Sequence, residues 1–269
     1  MIMVTVVKVG GSIASSGAPD SLIKEIAYYE NDRIVLVHGG GPAVTDLTMR
    51  LGIEPRFVTS PDGVRSRYTD AQTMEVFLMA MKGRINTDIV LALRKYGRNS
   101  VGITGIDAGL MVAERKSRLK ILSGNGRPMF VDGGYTGRIT GVNSAFLNGL
   151  MDLGQLPVIA PIAVSKDGEA LNVDGDRAAA AIAGSLKADL LVLLTNVTGV
   201  MREDSLVPHI AGTELDEAIR GVGNGMDKKL IAAREALAGG AGRVVISSGT
   251  ISNPLENAVQ GKMKTVIEK

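Results

Sequence analysis

The sequence predicts an α/β fold in which a largely parallel sheet lies between layers of helices. Two observations lead to this prediction. Six short runs of Val, Ile and Leu recur along the chain, and they are apolar at almost every position rather than at every second one. Strands that are buried on both faces have this composition. Helical patterns separate the runs, and such alternation is typical of parallel sheets.

The predicted elements follow one another regularly through most of the chain. Strands are expected at residues 2–9, 33–37, 100–104, 157–162, 190–195 and 244–247. Helices are expected at residues 19–29, 43–51, 70–95, 144–153, 176–187, 215–220, 228–238 and 253–260. Pro19 and Pro42 favour helix starts, because proline is tolerated in the first turn of a helix.

The middle of the chain departs from this rhythm. Short antiparallel strands are predicted at residues 110–116 and 129–140, and Asp167-Gly168 predicts a hairpin. We therefore expect a β-flap at about residues 105–142, inserted over one end of the sheet. A soft boundary near residue 171 divides the chain into an N-terminal lobe (1–170) and a C-terminal lobe (171–269) that share one continuous sheet.

Composition excludes several classes of function. The 269 residues are 45% hydrophobic but only 3% aromatic, and the net charge is +2. Nucleic-acid-binding proteins usually concentrate basic residues beside aromatic platforms, so no nucleic-acid partner is expected. The absence of cysteine excludes disulfides, thiol catalysis and cysteine-bound zinc. Since no apolar stretch reaches the ~18 residues of a membrane span, we expect a soluble, cytoplasmic protein with no membrane partner.

Two glycine-rich turns follow predicted strands. The first is V-K-V-G-G-S at residues 7–12, and the second is V-H-G-G-G-P at residues 37–42. Glycine lets backbone N–H groups converge on an anion, and a following helix N-terminus adds a favourable dipole. Lys8 can add a full positive charge. These features indicate an enzyme that holds a polyphosphate and a second anion together, although the P-loop and dinucleotide-binding motifs are absent.

Three further segments complete a distributed pattern: N-x-D-x-D at 172–176, A-D-L-L-V-L-L-T-N-V-x-G-V at 188–200, and G-M-x-x-K at 225–229. With the two glycine turns, and in this order, they resemble the amino acid kinase superfamily, specifically its acetylglutamate kinase branch. The resemblance implies a three-layer αβα sandwich whose N-terminal lobe holds the phosphoryl acceptor and whose C-terminal lobe holds ATP. Such enzymes phosphorylate a carboxylate that is already ionised, so positioning and positive charge carry catalysis without a general base.

The resemblance also implies roles for individual residues. Lys8, Asp176 and Lys229 would be catalytic, with Asp176 orienting the two lysines. The substrate-binding residues would be Gly10, Gly11, Gly39, Gly40, Gly41, Arg65, Arg67 and Asn172. The ATP-binding residues would be Gly11, Thr195, Asn196, Gly199 and Lys229. Mg²⁺ would be held mainly by the phosphates, with no metal ligand from the protein.

Lys228 departs from the family pattern, in which its position is usually apolar or proline. The alternative that Lys228, rather than Lys229, contacts ATP therefore stays open. His38 and His209 are interpreted as structural residues.

The acceptor is suggested by residues 57–70, which end in R-S-R-Y-T-D. This segment looks like that of kinases whose acceptor, 2-aminoadipate and in some cases glutamate, is attached to an acidic amino-group carrier protein of the LysW type. These kinases serve lysine and arginine synthesis. By this resemblance Arg67 would grip the substrate carboxylate, and Arg65 would face the acidic tail of the carrier. A basic stretch in the flap could steer that partner: Arg115, Lys116, Arg118 and Lys120.

Two other functions remain as alternatives. An ordinary N-acetylglutamate kinase of arginine synthesis has the same fold and chemistry, and a non-catalytic amino-acid sensor could be built on it as well. The extra N-terminal helix that assembles arginine-inhibited relatives into hexamers is not recognised in this sequence, so a homodimer is expected.

Overall fold

The computed structural model describes residues 3–15, 18–29, 33–61, 63–223 and 225–269. The strands are β1 (Thr5–Val9), β2 (Ile34–His38), β3 (Phe57–Thr59), β4 (Arg65–Arg67), β5 (Ser100–Thr104), β6 (Met111–Arg115), β7 (Arg118–Leu122), β8 (Pro128–Asp132), β9 (Gly137–Val142), β10 (Leu156–Ala160), β11 (Ile162–Val164), β12 (Ala170–Asn172), β13 (Leu190–Thr195), β14 (Met201–Arg202), β15 (Ser205–Leu206), β16 (His209–Ala211), β17 (Arg243–Ser248) and β18 (Lys264–Glu268).

The helices are α1 (Gly11–Ala14), α2 (Asp20–Ala27), α3 (Gly41–Arg50), α4 (Ala71–Leu78), α5 (Thr87–Lys95), α6 (Ser144–Asp152), α7 (Gly175–Ser185), α8 (Leu215–Arg220), α9 (Met226–Gly239) and α10 (Pro254–Gln260). A π-helical segment, Met79–Asn86, joins α4 to α5.

An eight-stranded sheet forms the middle layer, in the order β16-β18-β17-β13-β1-β2-β10-β5. The six strands from β17 to β5 are mutually parallel, and β18 runs antiparallel to β17. Both faces are apolar, since Val6 packs in the cluster that contains α7 and α9, whereas Val7 packs in the cluster that contains α2 and α5. The predicted αβα sandwich with a mostly parallel sheet is confirmed.

Several element boundaries differ from the predictions. The predicted strand 157–162 divides into β10 and β11 at Pro161, because proline cannot donate a ladder hydrogen bond. The predicted strand 129–140 is two strands, β8 and β9, separated by a turn at Gly133 and Gly134. The predicted helix 70–95 is continuous but contains the π segment. Ile2, the start of the first predicted strand, lies outside the described residues.

The flap contains two antiparallel strand pairs, β6 with β9 and β7 with β8. β6 pairs with β9 and joins β11 and β12 in a four-stranded sheet, while β7 and β8 form a separate hairpin beyond it. The hairpin predicted at Asp167-Gly168 is present between β11 and β12. The predicted lobe boundary at residues 170 and 171 falls inside β12. Within the described ranges, no helix has both the length and the apolar character needed to cross a membrane.

A buried polar pair lies beneath the second glycine turn. His38 ends β2 and is fully buried, and Asn86, at the end of the π segment, is only 1% exposed. Asn86 Nδ2 lies 3.1 Å from His38 Nε2, and His38 Nδ1 lies 3.1 Å from the Gly39 carbonyl oxygen. Burial lowers the pKa of His38 to about 4; the Gly39 hydrogen bond opposes this shift, and the charge of Lys82 adds to it.

We expect His38 to make the protein less stable in mild acid. The unfolded chain takes up a proton on His38 near its ordinary pKa, about 6.5, whereas the native protein does so only near 4. Since the unfolded state binds more protons in this window, the free energy of unfolding falls as the pH decreases through it, by about 3 kcal/mol from His38 alone. Urea denaturation across this pH range measures the effect.

His38→Gln removes the His38 contribution, whereas His209→Gln, which removes the other histidine, retains it. Equal pH dependence in the wild type and in His38→Gln would contradict the prediction. So would an NMR titration in which the native His38 ring protonates near pH 6.5.

Candidate active site

The carboxyl ends of the parallel strands open into one cleft, with a volume of about 1040 Å³. In open α/β sheets the loops that follow the strands meet at this edge, where ligands bind. Its walls come from the two glycine turns, the β3–β4 hairpin, the flap and the start of α7. The predicted site residues that line it are Lys8, Gly11, Gly39, Gly40, Gly41, Arg65, Arg67, Asn172 and Asp176.

The two glycine turns lie against each other because β1 and β2 are adjacent in the sheet. A Cβ atom on Gly39 would lie 2.6 Å from the Gly11 nitrogen, and one on Gly11 would lie 3.0 Å from the Gly40 nitrogen. No larger residue fits at Gly39 without moving a backbone segment. This close approach brings the backbone amides of both turns to one place at the base of the cleft.

Both turns lead into helices that begin at the cleft. α1 begins after Gly10 and α3 after Gly40; neither of these N-cap glycines supplies a side-chain cap, and in α3 the Ala43 N–H donates to Ser15 Oγ at 3.4 Å. The first N–H groups of a helix have no partner within the helix and carry a partial positive charge. Two adjacent helix starts of this kind suit the oxygens of a phosphate group.

A buried carboxylate joins two lysines at the floor of the site. Lys8 Nζ lies 2.6 Å from Asp176 Oδ1, and Lys229 Nζ lies 3.2 Å from Asp176 Oδ2. The lysine side chains are 8% and 15% exposed and the Asp176 side chain is 7% exposed. Asp176 stands in the first turn of α7, where a negative charge also interacts favourably with the helix dipole.

The charge balance of this triad determines its protonation. Burial alone would raise the pKa of Asp176, but the attraction of Lys8 and Lys229 outweighs burial and holds that pKa below its ordinary value. Asp176 is therefore ionised at neutral pH and fixes two ammonium groups. Arg177, the next residue of α7, also lines the cleft and forms an ion pair with Glu235 of α9.

The β3–β4 hairpin presents the two predicted arginines. The Arg65 and Arg67 guanidinium carbons lie 4.3 Å and 4.9 Å from the Phe57 ring centroid. Arg67 Nη2 donates to the Gly41 carbonyl at 3.0 Å and to Thr45 Oγ1 at 2.6 Å. Its Nη1 is buried and has no hydrogen-bond partner among the described residues. A buried donor without a partner at a cleft wall suits an anionic ligand. Asp62 lies outside the described residues.

Asn172, the last residue of β12, also lines the cleft. Its Nδ2 donates to Thr69 Oγ1 at 2.9 Å, and its backbone nitrogen donates to the Tyr135 carbonyl at 2.8 Å. Thr69 in turn accepts a hydrogen bond from the Tyr135 nitrogen at 2.7 Å. Asn172 therefore faces the cleft while tying the flap to the segment that precedes α4.

The other predicted residues lie away from the cleft lining. Thr195 and Asn196 follow one another at the carboxyl end of β13, where Thr195 is adjacent to Gly10. Gly199 packs against β18, since a Cβ atom there would lie 2.6 Å from Thr265 Oγ1. Lys229 reaches the site through Asp176, whereas Lys228 lines the cleft and lies 3.3 Å from the Arg65 carbonyl oxygen.

The basic residues predicted in the flap lie in different environments. Lys116 and Lys120 line the cleft. Arg115 is engaged internally, because it contacts Glu169 at 2.9 Å and the Gly134 carbonyl at 2.7 Å. Sequence reasoning missed Arg138, which also lines the cleft and pairs with Glu114. Its only signal was its place in a predicted strand, where side-chain direction cannot be read without the register.

Solved structures confirm the fold. The N-acetylglutamate synthase of Neisseria gonorrhoeae, solved with coenzyme A and N-acetyl-glutamate, superposes with a TM-score of 0.80 at 24% identity, over 99% of this chain. The present chain spans 59% of that protein. The carbamate kinase of Giardia lamblia bound to AMP-PNP gives a TM-score of 0.66 at 16% identity and is covered over 98% of its length.

Sequence comparison identifies the family. A LysW-aminoadipate/LysW-glutamate kinase of Saccharolobus solfataricus is 43% identical over 256 residues, which are 95% of this chain and 96% of that protein. A Nitrosopumilus maritimus protein, described provisionally as a kinase of this same name, is 46% identical over 268 residues, which are 99% of each chain. The model of the amino acid kinase family matches residues 3–248. This chain therefore belongs to the amino acid kinase family.

Proposed function

We propose that this chain is an ATP-dependent kinase that phosphorylates the side-chain carboxylate of 2-aminoadipate or glutamate attached to an acidic carrier protein of the LysW type. The triad of Lys8, Asp176 and Lys229 beside two paired glycine turns carries the kinase part of the proposal. The names of the 43–46% identical relatives support the carrier-linked acceptor.

The reaction needs positioned positive charge more than proton transfer. An oxygen of the acceptor carboxylate attacks the γ-phosphorus of ATP, the bond to the bridging oxygen breaks, and ADP leaves with that electron pair. Lys8 and Lys229 would stabilise the charge on the transferring group from two sides, and the amides of the glycine turns would hold its oxygens. Asp176 would keep both lysines in place. The contact of Lys229 with Asp176 supports Lys229, rather than Lys228, as the second lysine of the triad and the one that would contact the ATP phosphates.

Mg²⁺ fits this site only through the phosphates. Among the described residues, no group of three or more His, Asp or Glu side chains could hold a metal ion. Asp176, the one buried carboxylate in the part of the chain that the structure describes, is already paired with two lysines. Mg²⁺ usually keeps several waters and binds substrate phosphates, whose charge it neutralises when bound. The residues of this chain would hold the polyphosphate, and the phosphate oxygens would bind the ion.

The acceptor end of the cleft would be formed by Arg67 and Asn172. The unpartnered Nη1 of Arg67 supports a carboxylate contact, because guanidinium groups bind carboxylates through two parallel hydrogen bonds. Asn172, at the end of β12, would contact the amide region of the acceptor.

A carrier-linked acceptor requires an open side through which the protein-bound chain can enter. The β7–β8 hairpin borders the cleft there and carries Lys120 and, directly opposite in register, the 62% exposed Phe130. Arg118 is also exposed on this hairpin. Basic groups around an exposed aromatic ring would suit an acidic protein and raise its association rate.

The sequence relatives bear on neither quaternary structure nor compartment. The homodimer, the cytoplasmic location, the role in arginine synthesis and the division of acceptor and ATP binding between residues 1–170 and 171–269 stay predictions. Nothing in the site or the comparisons favours the N-acetylglutamate kinase or the sensor.

The proposal is tested by ATP-dependent acyl-phosphate formation, trapped as the hydroxamate. Carrier-linked 2-aminoadipate, carrier-linked glutamate and free N-acetylglutamate are compared at equal concentration. We expect turnover of the linked substrates only, because the hairpin contacts depend on the carrier. Their ratio reports the pocket's preference for one methylene, worth about 1–3 kcal/mol. Turnover of the free acid alone would contradict the carrier-linked acceptor, and no turnover of any acceptor would contradict the kinase.

Arg67→Lys should weaken acceptor use selectively. The substitution keeps the charge but loses the planar fork, and a charge-assisted hydrogen bond is worth about 1.5–3 kcal/mol, or roughly 10- to 100-fold in kcat/KM for the acceptor. The KM for ATP should change little. Steady-state kinetics with each substrate varied in turn measure the effect.

Arg56→Lys is the matched control. Arg56 lies on the same segment, 4.8 Å over the Tyr68 ring, but does not line the cleft. It should keep kcat/KM within about twofold. An unchanged acceptor KM in Arg67→Lys would refute the assignment of Arg67.

A further inference from the structure

The buried pair of His38 and Asn86 has no part in the proposed chemistry, yet it contacts the turn on which that chemistry depends. Both side chains are almost fully buried. Buried polar groups are costly unless they are hydrogen-bonded, so a paired His and Asn in an otherwise apolar layer calls for a reason.

The hydrogen bonds around the pair have a definite direction. Lys82 Nζ lies 3.4 Å from Asn86 Oδ1, which makes Oδ1 the acceptor end of the amide. Asn86 Nδ2 then donates to the Val158 carbonyl at 2.9 Å and to His38 Nε2 at 3.1 Å. Since Nε2 accepts, the proton of the neutral ring is on Nδ1, which donates to the Gly39 carbonyl at 3.1 Å.

That last hydrogen bond acts on the amide of the next residue. The Gly39 carbonyl and the Gly40 N–H belong to one planar peptide unit, and no cis peptide bond is found in the part of the chain that the structure describes. In a trans unit the C=O and N–H point in opposite directions. Holding the Gly39 oxygen toward buried His38 therefore turns the Gly40 N–H away from the core, on the side of the cleft that Gly40 lines.

The π segment supports the same turn from below. A Cβ atom on Gly40 would overlap Ile85 Cδ1 and would lie 2.5 Å from Met81 Sδ. Both side chains belong to the segment Met79–Asn86, which also supplies Asn86. A π-helix is rare and is often found at functional sites, because its wider turn changes which side chains share a face. Here it delivers two apolar contacts and one polar contact to a single glycine turn.

We propose that His38 and Asn86 are positioning residues that orient the Gly39–Gly40 peptide so that the Gly40 N–H points at the ligand oxygens in the cleft. The proposal rests on the proposed function, in which this turn holds the transferring phosphoryl group or the acceptor. It assigns His38 a neutral, Nδ1-protonated ring that takes no part in proton transfer.

The test uses two substitutions that retain different nitrogen positions of the ring. In His38→Asn the side-chain amide occupies the place of Nδ1 and can still donate to the Gly39 carbonyl. In His38→Gln it reaches the place of Nε2 instead, and the Gly39 contact is lost. We expect His38→Asn to keep kcat within about threefold and His38→Gln to lose about 10- to 100-fold in kcat, somewhat less than deletion of an oxyanion donor. The KM for ATP should change less than kcat.

Thermal unfolding distinguishes a role of His38 in orienting the Gly39–Gly40 peptide from a role in the stability of the fold. Asparagine is the smaller residue and leaves the larger cavity, so His38→Asn should be no more stable than His38→Gln although it is the more active variant. Activity that falls in parallel with stability in both variants would overturn the proposal. So would kcat within twofold of wild type in His38→Gln, or a tenfold loss in a folded His38→Asn.

Two measurements on the wild-type protein are independent of whether these variants fold. The ¹⁵N chemical shifts of His38 should report a neutral ring protonated on Nδ1, and protonation on Nε2 would overturn the proposal. The Gly40 amide signal should move when AMP-PNP or the carrier-linked acceptor is added, whereas a signal that neither ligand moves, in a protein that binds both, would refute it. A wild type that binds AMP-PNP through Gly40 but phosphorylates no acceptor would contradict the proposed function and leave the positioning role intact.

Discussion

The ion triad at Asp176 is the interaction on which the site depends. Lys8 comes from the central strand β1, Asp176 from α7 and Lys229 from α9, so three elements meet at one carboxylate. Two ammonium groups this well buried would repel each other without it. An unpaired buried charge is strongly destabilising, whereas a paired one is tolerated when its geometry is good. The carboxylate thus stabilises the arrangement and fixes two ammonium groups at the floor of the site.

The surrounding fold determines how this charge meets a ligand. The parallel order of β1 and β2 brings two glycine turns together at the same sheet edge, so that backbone amides and the triad face one volume. The amides are fixed dipoles that need no reorganisation when a phosphate arrives. The π segment and the His38–Asn86 pair hold one of these turns from below. The flap and the β3–β4 hairpin add two exposed cations, Lys120 and Arg65, to the cleft lining.

Much of this architecture could be predicted from local sequence. Runs such as residues 190–194 are apolar at every position because both sheet faces are covered, and the pattern can be recognised without knowing the neighbouring strands. β18 was missed because only two of its five residues, Val266 and Ile267, are apolar, so it lacks the continuous apolar run of the inner strands. The π segment was missed because the apolar periodicity of residues 70–95 reads as one ordinary helix.

The candidate site could likewise be predicted only where its signals are local in sequence. The glycine turns and Lys8 are local signals that point to anion binding on their own. The partnership of Lys8 with residues 176 and 229 joins segments that are far apart in sequence, and only the family resemblance suggested it. The directed bonds of His38 could not be foreseen, because they depend on Asn86, which the π segment brings beneath the turn.

A double-mutant cycle on kcat tests the central role of Asp176 most directly. Asp176→Asn and Lys229→Met are measured singly and together, in the carrier-linked assay. If Asp176 acts by holding Lys229 in place, each single substitution should lower kcat by about 10²–10³-fold. The double substitution should lower kcat scarcely further, because Lys229→Met removes a side chain that Asp176→Asn has already displaced. Losses that multiply, so that the double variant falls by the product of the two single effects, would show that the two residues act independently and would contradict this account.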